Sequence, residues 1–245
     1  MRLPFFILMA FCLICGSAFS KNKTFTIGVE DIDYYPHYKS EKGVYSGYAE
    51  EVLTKFAKSR GYDFKYVPLP VTRLFRNFLT TQEVDFKYPD NPYWSAEMRK
   101  SKVYYSKSVV DYKEGVAVLP KNQGKGLTSL KKMGIVHGFT AFEYLDKIKA
   151  GEIKVEENDS FSGLLQQAVR ERIDGAYSEV GVLNYFNKEV FKKPVLVFDD
   201  SLPHLQSSFF LSSIKYPEVI EEMNKFLVEE KKFVEEMKRK YSLTL

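Results

Sequence analysis

The chain has 245 residues, of which 44% are hydrophobic and 28% charged, a balance that excludes a disordered chain and a length sufficient for one large domain or two lobes. Lysine and arginine number 36 against 32 acidic residues, for a net charge of +4. The two signs alternate along the sequence, which argues against a nucleic-acid-binding stripe.

Residues 1–20 open with Arg2, run through an apolar stretch at 3–14, and end on Ala18-Phe19-Ser20. A charged start, an apolar middle and a small-residue exit read as a secretory signal peptide, cleaved near Ser20. The apolar run is about a dozen residues, short of the roughly 18 of a spanning helix. The mature chain is expected to be exported and periplasmic. Cys12 and Cys15 both fall inside this segment, so no disulfide or cysteine metal site is expected in the mature protein.

Residues 24–29 (TFTIGV) alternate and are β-branched, predicting a strand. A helix follows over 47–60, with Tyr48, Val52, Leu53 and Phe56 at helical spacing and Gly61 as its stop. Strands are predicted at 63–67 and 84–88, flanking a helix at 72–79. The pattern then restarts. Strands are expected at 115–119, 134–136, 152–155 and 175–178, and helices at 140–149, 161–172 and 182–191. A last helix is predicted over 217–241, with Pro217 in its first turn and an apolar stripe from Val219 to Met237. Strand–helix alternation predicts an α/β fold with sheets covered by helices. Two such units in series predict two lobes.

Chemical motifs are few. His37, His137 and His204 lack the short spacings of a metal site, and each is expected at the surface or in a cleft. There is no nucleophile elbow and no phosphate-cradling or dinucleotide glycine pattern. No cofactor, metal or catalytic residue is expected.

Four segments carry a resemblance. Tyr35-Pro36-His37-Tyr38 follows the first strand, and Gly47-Tyr48 leads into the first helix. Glu97-Met98-Arg99 precedes Tyr105-Ser106, Met133 to Thr140 reads MGIVHGFT, and Arg172 to Glu179 reads RIDGAYSE. Together they resemble the family 3 periplasmic solute-binding proteins, the amino-acid receptors of ABC importers. The resemblance implies that Tyr35 packs on the ligand and that Arg99 clamps its carboxylate. An arginine suits that task because its planar fork forms two parallel charge-assisted hydrogen bonds. It further implies that Thr140 caps a helix whose free amides face an anion, and that Glu179 receives the ligand's amino group. Arg73 matches an arginine of some relatives, and Asp31 and Asp33 lie near an acidic position of the first lobe. The segment 87–94 (KYPDNPYW) departs from the family's small and hydroxyl residues. Its Tyr88, Tyr93 and Trp94, with Tyr34 and Tyr35, form an aromatic set able to stack on a ring or box a cation, and Asn91 of the same segment is a further ligand-binding candidate.

The resemblance implies a type II periplasmic binding fold with a central cleft. Lobe one would comprise residues 24–112 and 198–245, and lobe two residues 113–197, joined by a two-strand hinge near 111–113 and 198–200. Such a protein would close on a small amino-acid-like solute and deliver it, as a monomer, to an inner-membrane ABC permease. Two other readings are a periplasmic sensor docking on a membrane signalling protein and a cyclohexadienyl-dehydratase-like enzyme using a cleft carboxylate.

Overall fold

A computed structural model describes residues 22–244 of the chain. The leader segment read at residues 1–20, with Cys12 and Cys15, lies outside them. No helix among the described residues is long and apolar enough to cross a membrane.

The strands are β1 (Lys23–Glu30), β2 (Asp33–Tyr34), β3 (Tyr38–Glu41), β4 (Val44–Ser46), β5 (Tyr62–Leu69), β6 (Phe86–Asp90), β7 (Tyr104–Tyr105), β8 (Val110–Val118), β9 (Lys132–Val136), β10 (Lys154–Asn158), β11 (Gly175–Glu179), β12 (Val197–Phe198) and β13 (Leu205–Ser213). The α-helices are α1 (Tyr48–Ser59), α2 (Val71–Leu79), α3 (Leu145–Lys149), α4 (Phe161–Val169), α5 (Val180–Tyr185), α6 (Pro217–Glu229) and α7 (Lys231–Lys240).

One sheet path runs β10-β9-β11-β8-β13-β6-β1-β5. At one end, β1 pairs in parallel with β5 and β6; at the other, β9 pairs in parallel with β10 and β11. These two parallel groups are the cores of two lobes. Among the described residues, the strand pairing that links them is that of β8 with β13. Residues 205–209 of β13 pair with 114–110 of β8, and the strand then continues past a register shift onto β6 in lobe one. The far half of β8 pairs with β11 and β12 in lobe two. Asp111, Tyr112 and Lys113 thus lie on β8 opposite Ser208, Ser207 and Gln206, while Phe198 lies on β12 opposite Ala117. The small sheet β2-β3-β4 packs beside lobe one.

The apolar spacing of each helix explains its seat. In α2, Val71, Leu74, Phe75 and Phe78 are buried against the sheet. A Cβ at Gly28 of β1 would stand 2.5 Å from Leu74, so the bare glycine permits this close packing. Arg73 and Arg76 are left on the exposed side of the same helix. α4 is capped by Ser160, whose hydroxyl accepts from the Gly163 amide at 3.1 Å.

Four expectations need correction. The helix over 140–149 shrinks to a 3-10 turn at Phe142–Tyr144 and the five residues of α3, so Thr140 precedes the turn and caps no helix. The helix at 161–172 ends at Val169, where Glu171 takes a positive φ of 56°. The helix over 217–241 is two helices, broken at Glu230. The strand placed at 115–119 begins at Val110, because its first half alternates exposed and buried residues as the interlobe crossing.

Candidate functional site

A cavity of about 50 Å3 lies between the lobes, with walls from both. Lobe one supplies Glu30 from the end of β1, Tyr34 and Tyr38 from β2 and β3, Val71 and Phe75 from α2, and Trp94-Ser95 after β6. Lobe two supplies Glu114 from β8, Gly138, Phe139, Thr140 and Phe142 from the loop after β9, and Tyr177 from β11. Phe209, on the crossing strand β13, forms the base. Its ring stacks on Tyr112 at 4.3 Å and meets Trp94 edge-on at 5.8 Å. The lobes touch around this space: Tyr34 packs edge-on against Phe139 and Phe161 of lobe two.

The site sits where β1, β9 and β11 end, because the loops that follow parallel strands converge at one edge of an open α/β sheet. Its chemistry is acidic and aromatic. Glu30 is 2% exposed and accepts a hydrogen bond from the Tyr38 hydroxyl. Burial raises its carboxyl above the ordinary range, an effect opposed by Lys87 and by the Tyr38 bond. Glu114 is 7% exposed, and burial pushes its carboxyl up to about 8. The neighbouring charges of Glu143, Glu179 and Glu30 push the same way, while the Tyr177 hydroxyl pulls it back. That hydroxyl has a single proton, and Glu143 competes for it at 3.0 Å.

Other buried charges nearby are paired. Lys87 is fully buried; its ammonium donates to the Pro89 carbonyl and to Asp90 at 3.0 Å, and lies over the rings of Phe75 at 4.2 Å and Trp94 at 5.2 Å. Asp90 also accepts from Ser212 and from the Asn91 amide. His37 is fully buried, and its Nε2 lies 3.1 Å from Glu179 Oε2. That distance is an ion pair's, although the two groups are not aligned for a hydrogen bond and His37 Nδ1 has no partner. Burial would raise the Glu179 carboxyl, but the His37 charge and the amides of Gly181 and Val182 hold it below its ordinary value.

The residues singled out from sequence separate into two groups. Trp94 and Thr140 line the cavity. Arg99 is turned away from it: its Nη2 donates to the carbonyls of Trp94 at 2.8 Å and Asn91 at 3.3 Å, which fixes the turn carrying Trp94. Glu179 is engaged by His37 and accepts from the Val182 amide at 2.8 Å at the start of α5. Tyr35 packs on Tyr185 of lobe two with ring centroids 4.5 Å apart. Tyr88 is wholly buried, and Asn91 donates to Ser207 and to the Ser208 carbonyl on β13. Arg73 is exposed, and Tyr93 is 76% exposed. Asp31 accepts from Ser40, and Asp33 pairs with Lys39, so neither lines the cavity.

Sequence reading passed over Glu30, Glu114, Tyr177 and Phe209. Glu30 directly follows the predicted first strand. Phe209 lies in LQSSFFLSS, whose Leu205, Phe209 and Leu211 fall at alternate positions, a strand signal. A second recess of about 200 Å3 lies under lobe two, but its acids are occupied: Asp174 accepts from the amides of Lys131 and Lys132, and Asp199 from those of Gly124 and Ser201. No group of three metal-ligating side chains occurs among the described residues.

Two α/β lobes, two shared strands and a cavity between them define the two-lobed fold of type II periplasmic binding proteins. No protein-family model matches the sequence, and no curated protein matches it. Solved structures do. An ancestral arginine-binding protein bound to arginine superposes with a TM-score of 0.73 at 20% identity, over 90% of this chain and 99% of that one. An arginine third transport system periplasmic binding protein from Legionella pneumophila gives 0.71 at 13% identity, over 89% and 99%. The ancestral amino-acid-binding protein AncCDT-1, a precursor of cyclohexadienyl dehydratase, gives 0.70 at 19% identity, over 89% and 95%.

Proposed function

We propose that this protein is a periplasmic solute-binding protein that captures a small amino-acid-like solute by closing its two lobes and presents it to an inner-membrane ABC permease. The observation that carries the reading is the cavity whose wall is divided between lobes, with Glu30 and Trp94 on one side and Glu114 and Tyr177 on the other. A site split this way is complete only when the lobes meet, so solute binding and hinge closure are one event. The neighbours described as arginine- and amino-acid-binding support capture rather than turnover.

The test is calorimetric titration with a panel of amino acids and amines, paired with small-angle scattering. A solute that binds with a measurable affinity and reduces the radius of gyration supports the reading. A panel that produces neither binding nor compaction overturns it.

A further inference from the structure

We infer that the cavity selects a small organic cation without a carboxylate, an ammonium or guanidinium compound held by Glu30 and Glu114 within the aromatic wall. The inference rests on the capture reading above.

Glu114 carries the argument. It lines the cavity, is 7% exposed, and has no lysine, arginine or histidine within ion-pair distance among the described residues. The other buried acids near it have firmer partners: Asp90 has the Lys87 ammonium, Glu179 has His37 and Glu30 has the Tyr38 hydroxyl, whereas the Tyr177 hydroxyl beside Glu114 is donated to Glu143. A buried carboxylate without a partner is strongly unfavourable. Unliganded, Glu114 meets that cost by keeping its proton; a cation in the cavity would supply the missing partner on the surface a ligand touches.

The walls favour the same ligand. Trp94, Phe75, Tyr34 and Phe139 present aromatic rings to the space, and ring faces attract a cation once water has been excluded. Lys87 already uses two of these rings, Phe75 and Trp94, from behind the wall.

A carboxylate finds no support. None of the described lining residues is lysine, arginine or histidine. The nearby bases are committed, Lys87 to Asp90 and the Pro89 carbonyl, and Arg99 to the carbonyls of Asn91 and Trp94. An α-amino acid would bring its carboxylate into a space that holds two acids and no base, where ionising Glu30 or Glu114 to pair with the amine sets a like charge against that carboxylate. Discrimination comes from this repulsion as much as from attraction to the amine.

The experiment compares pairs of solutes that differ by a carboxylate: ethanolamine with serine, cadaverine with lysine, and agmatine with arginine. Titration calorimetry on the wild-type protein should show at least one amine binding tenfold or more tighter than its parent amino acid. In Glu114→Gln that amine should bind at least tenfold more weakly, with the circular dichroism spectrum unchanged. Glu30→Gln provides the same readout should the first variant not fold. A parent amino acid that binds as tightly as its amine, or an amine affinity unchanged in a folded variant, overturns the inference and leaves capture standing. Failure of all six solutes to bind overturns the inference together with the capture reading for amine-bearing solutes.

Discussion

Glu114 and Glu179 stand directly opposite each other across the antiparallel pairing of β8 with β11, and of the two only Glu179 has a basic side chain beside it. His37 reaches Glu179 from lobe one, at 3.1 Å, while Glu114 faces the cavity. Two like charges opposed on one sheet face repel. The pair is tolerated here because one acid is held across the lobe interface by His37 and by the Val182 amide, and the other is raised to about 8. The acid at the end of β11 is thus held by His37 and the Val182 amide, and its cross-strand neighbour faces the cavity.

The raised Glu114 has a signed consequence for stability. Its carboxyl is ordinary, near 4.5, in the unfolded chain and near 8 in the folded one. Between those values the folded state holds a proton that the unfolded state has released, so stability is full below the lower value and declines as pH rises toward the upper. Glu143, Glu179, Glu30 and Tyr177 all face this group, and Glu30 is raised as well. Comparing the wild type with Glu114→Gln isolates the single carboxyl. Urea unfolding of the unliganded protein should show the variant gaining on the wild type from pH 5 to 8 and levelling above, with a gap of about 1–3 kcal/mol. A gap independent of pH would contradict the assignment.

The His37–Glu179 contact joins the turn between β2 and β3 in lobe one to the start of α5 in lobe two. It forms only when the lobes meet, so it should strengthen ligand binding. A double-mutant cycle with His37→Gln and Glu179→Gln should give a coupling of about 0.5–3 kcal/mol in ligand affinity. Coupling in unfolding free energy but none in affinity would mean that the contact persists in the open form.

Much of this architecture was legible from the sequence, because β1, α1, α2 and β11 carry their signals locally. Alternation in TFTIGV and the spacing of Leu74, Phe75, Phe78 and Leu79 specify elements without reference to the rest of the chain. The crossing strand was not read, because Ser207, Ser208, Ser212 and Ser213 dilute its apolar signal and its partners β8 and β6 are distant in sequence. The site was legible only in part. Trp94 stood out by its type, whereas Glu30 and Glu114 are ordinary acids in sequence and gain their meaning from burial. Arg99 was legible as an arginine but not in its direction, which follows from the carbonyls of the 91–94 turn.

That turn predicts a difference between two variants. Trp94→Ala removes part of the cavity wall and should weaken binding about 10–100-fold, the range of a well-packed aromatic anchor. Arg99→Lys leaves the wall in place but loses the planar guanidinium that sets Nη2 against the Asn91 and Trp94 carbonyls. It should weaken binding only several-fold, and equally for solutes with and without a carboxylate. A loss confined to carboxylate-bearing solutes would mean that Arg99 contacts the ligand.

Gly138 provides a test of closure that leaves both acids untouched. It sits in the loop after β9 with φ +87°, and an added Cβ would lie 3.0 Å from Val71 Cβ at the start of α2 in lobe one. Alanine therefore meets two obstacles. The left-handed backbone strains lobe two whether open or closed, by about 1–2 kcal/mol. The clash with Val71 arises only when the lobes approach. Gly138→Ala should lower the melting temperature of the unliganded protein modestly and ligand affinity by about tenfold, each 1.4 kcal/mol of closure strain being one factor of ten. Removing that Cβ with Val71→Gly in the same chain should restore part of the affinity and none of the backbone strain. Affinity unaffected by Gly138→Ala would show that the loop and α2 do not meet in the liganded state.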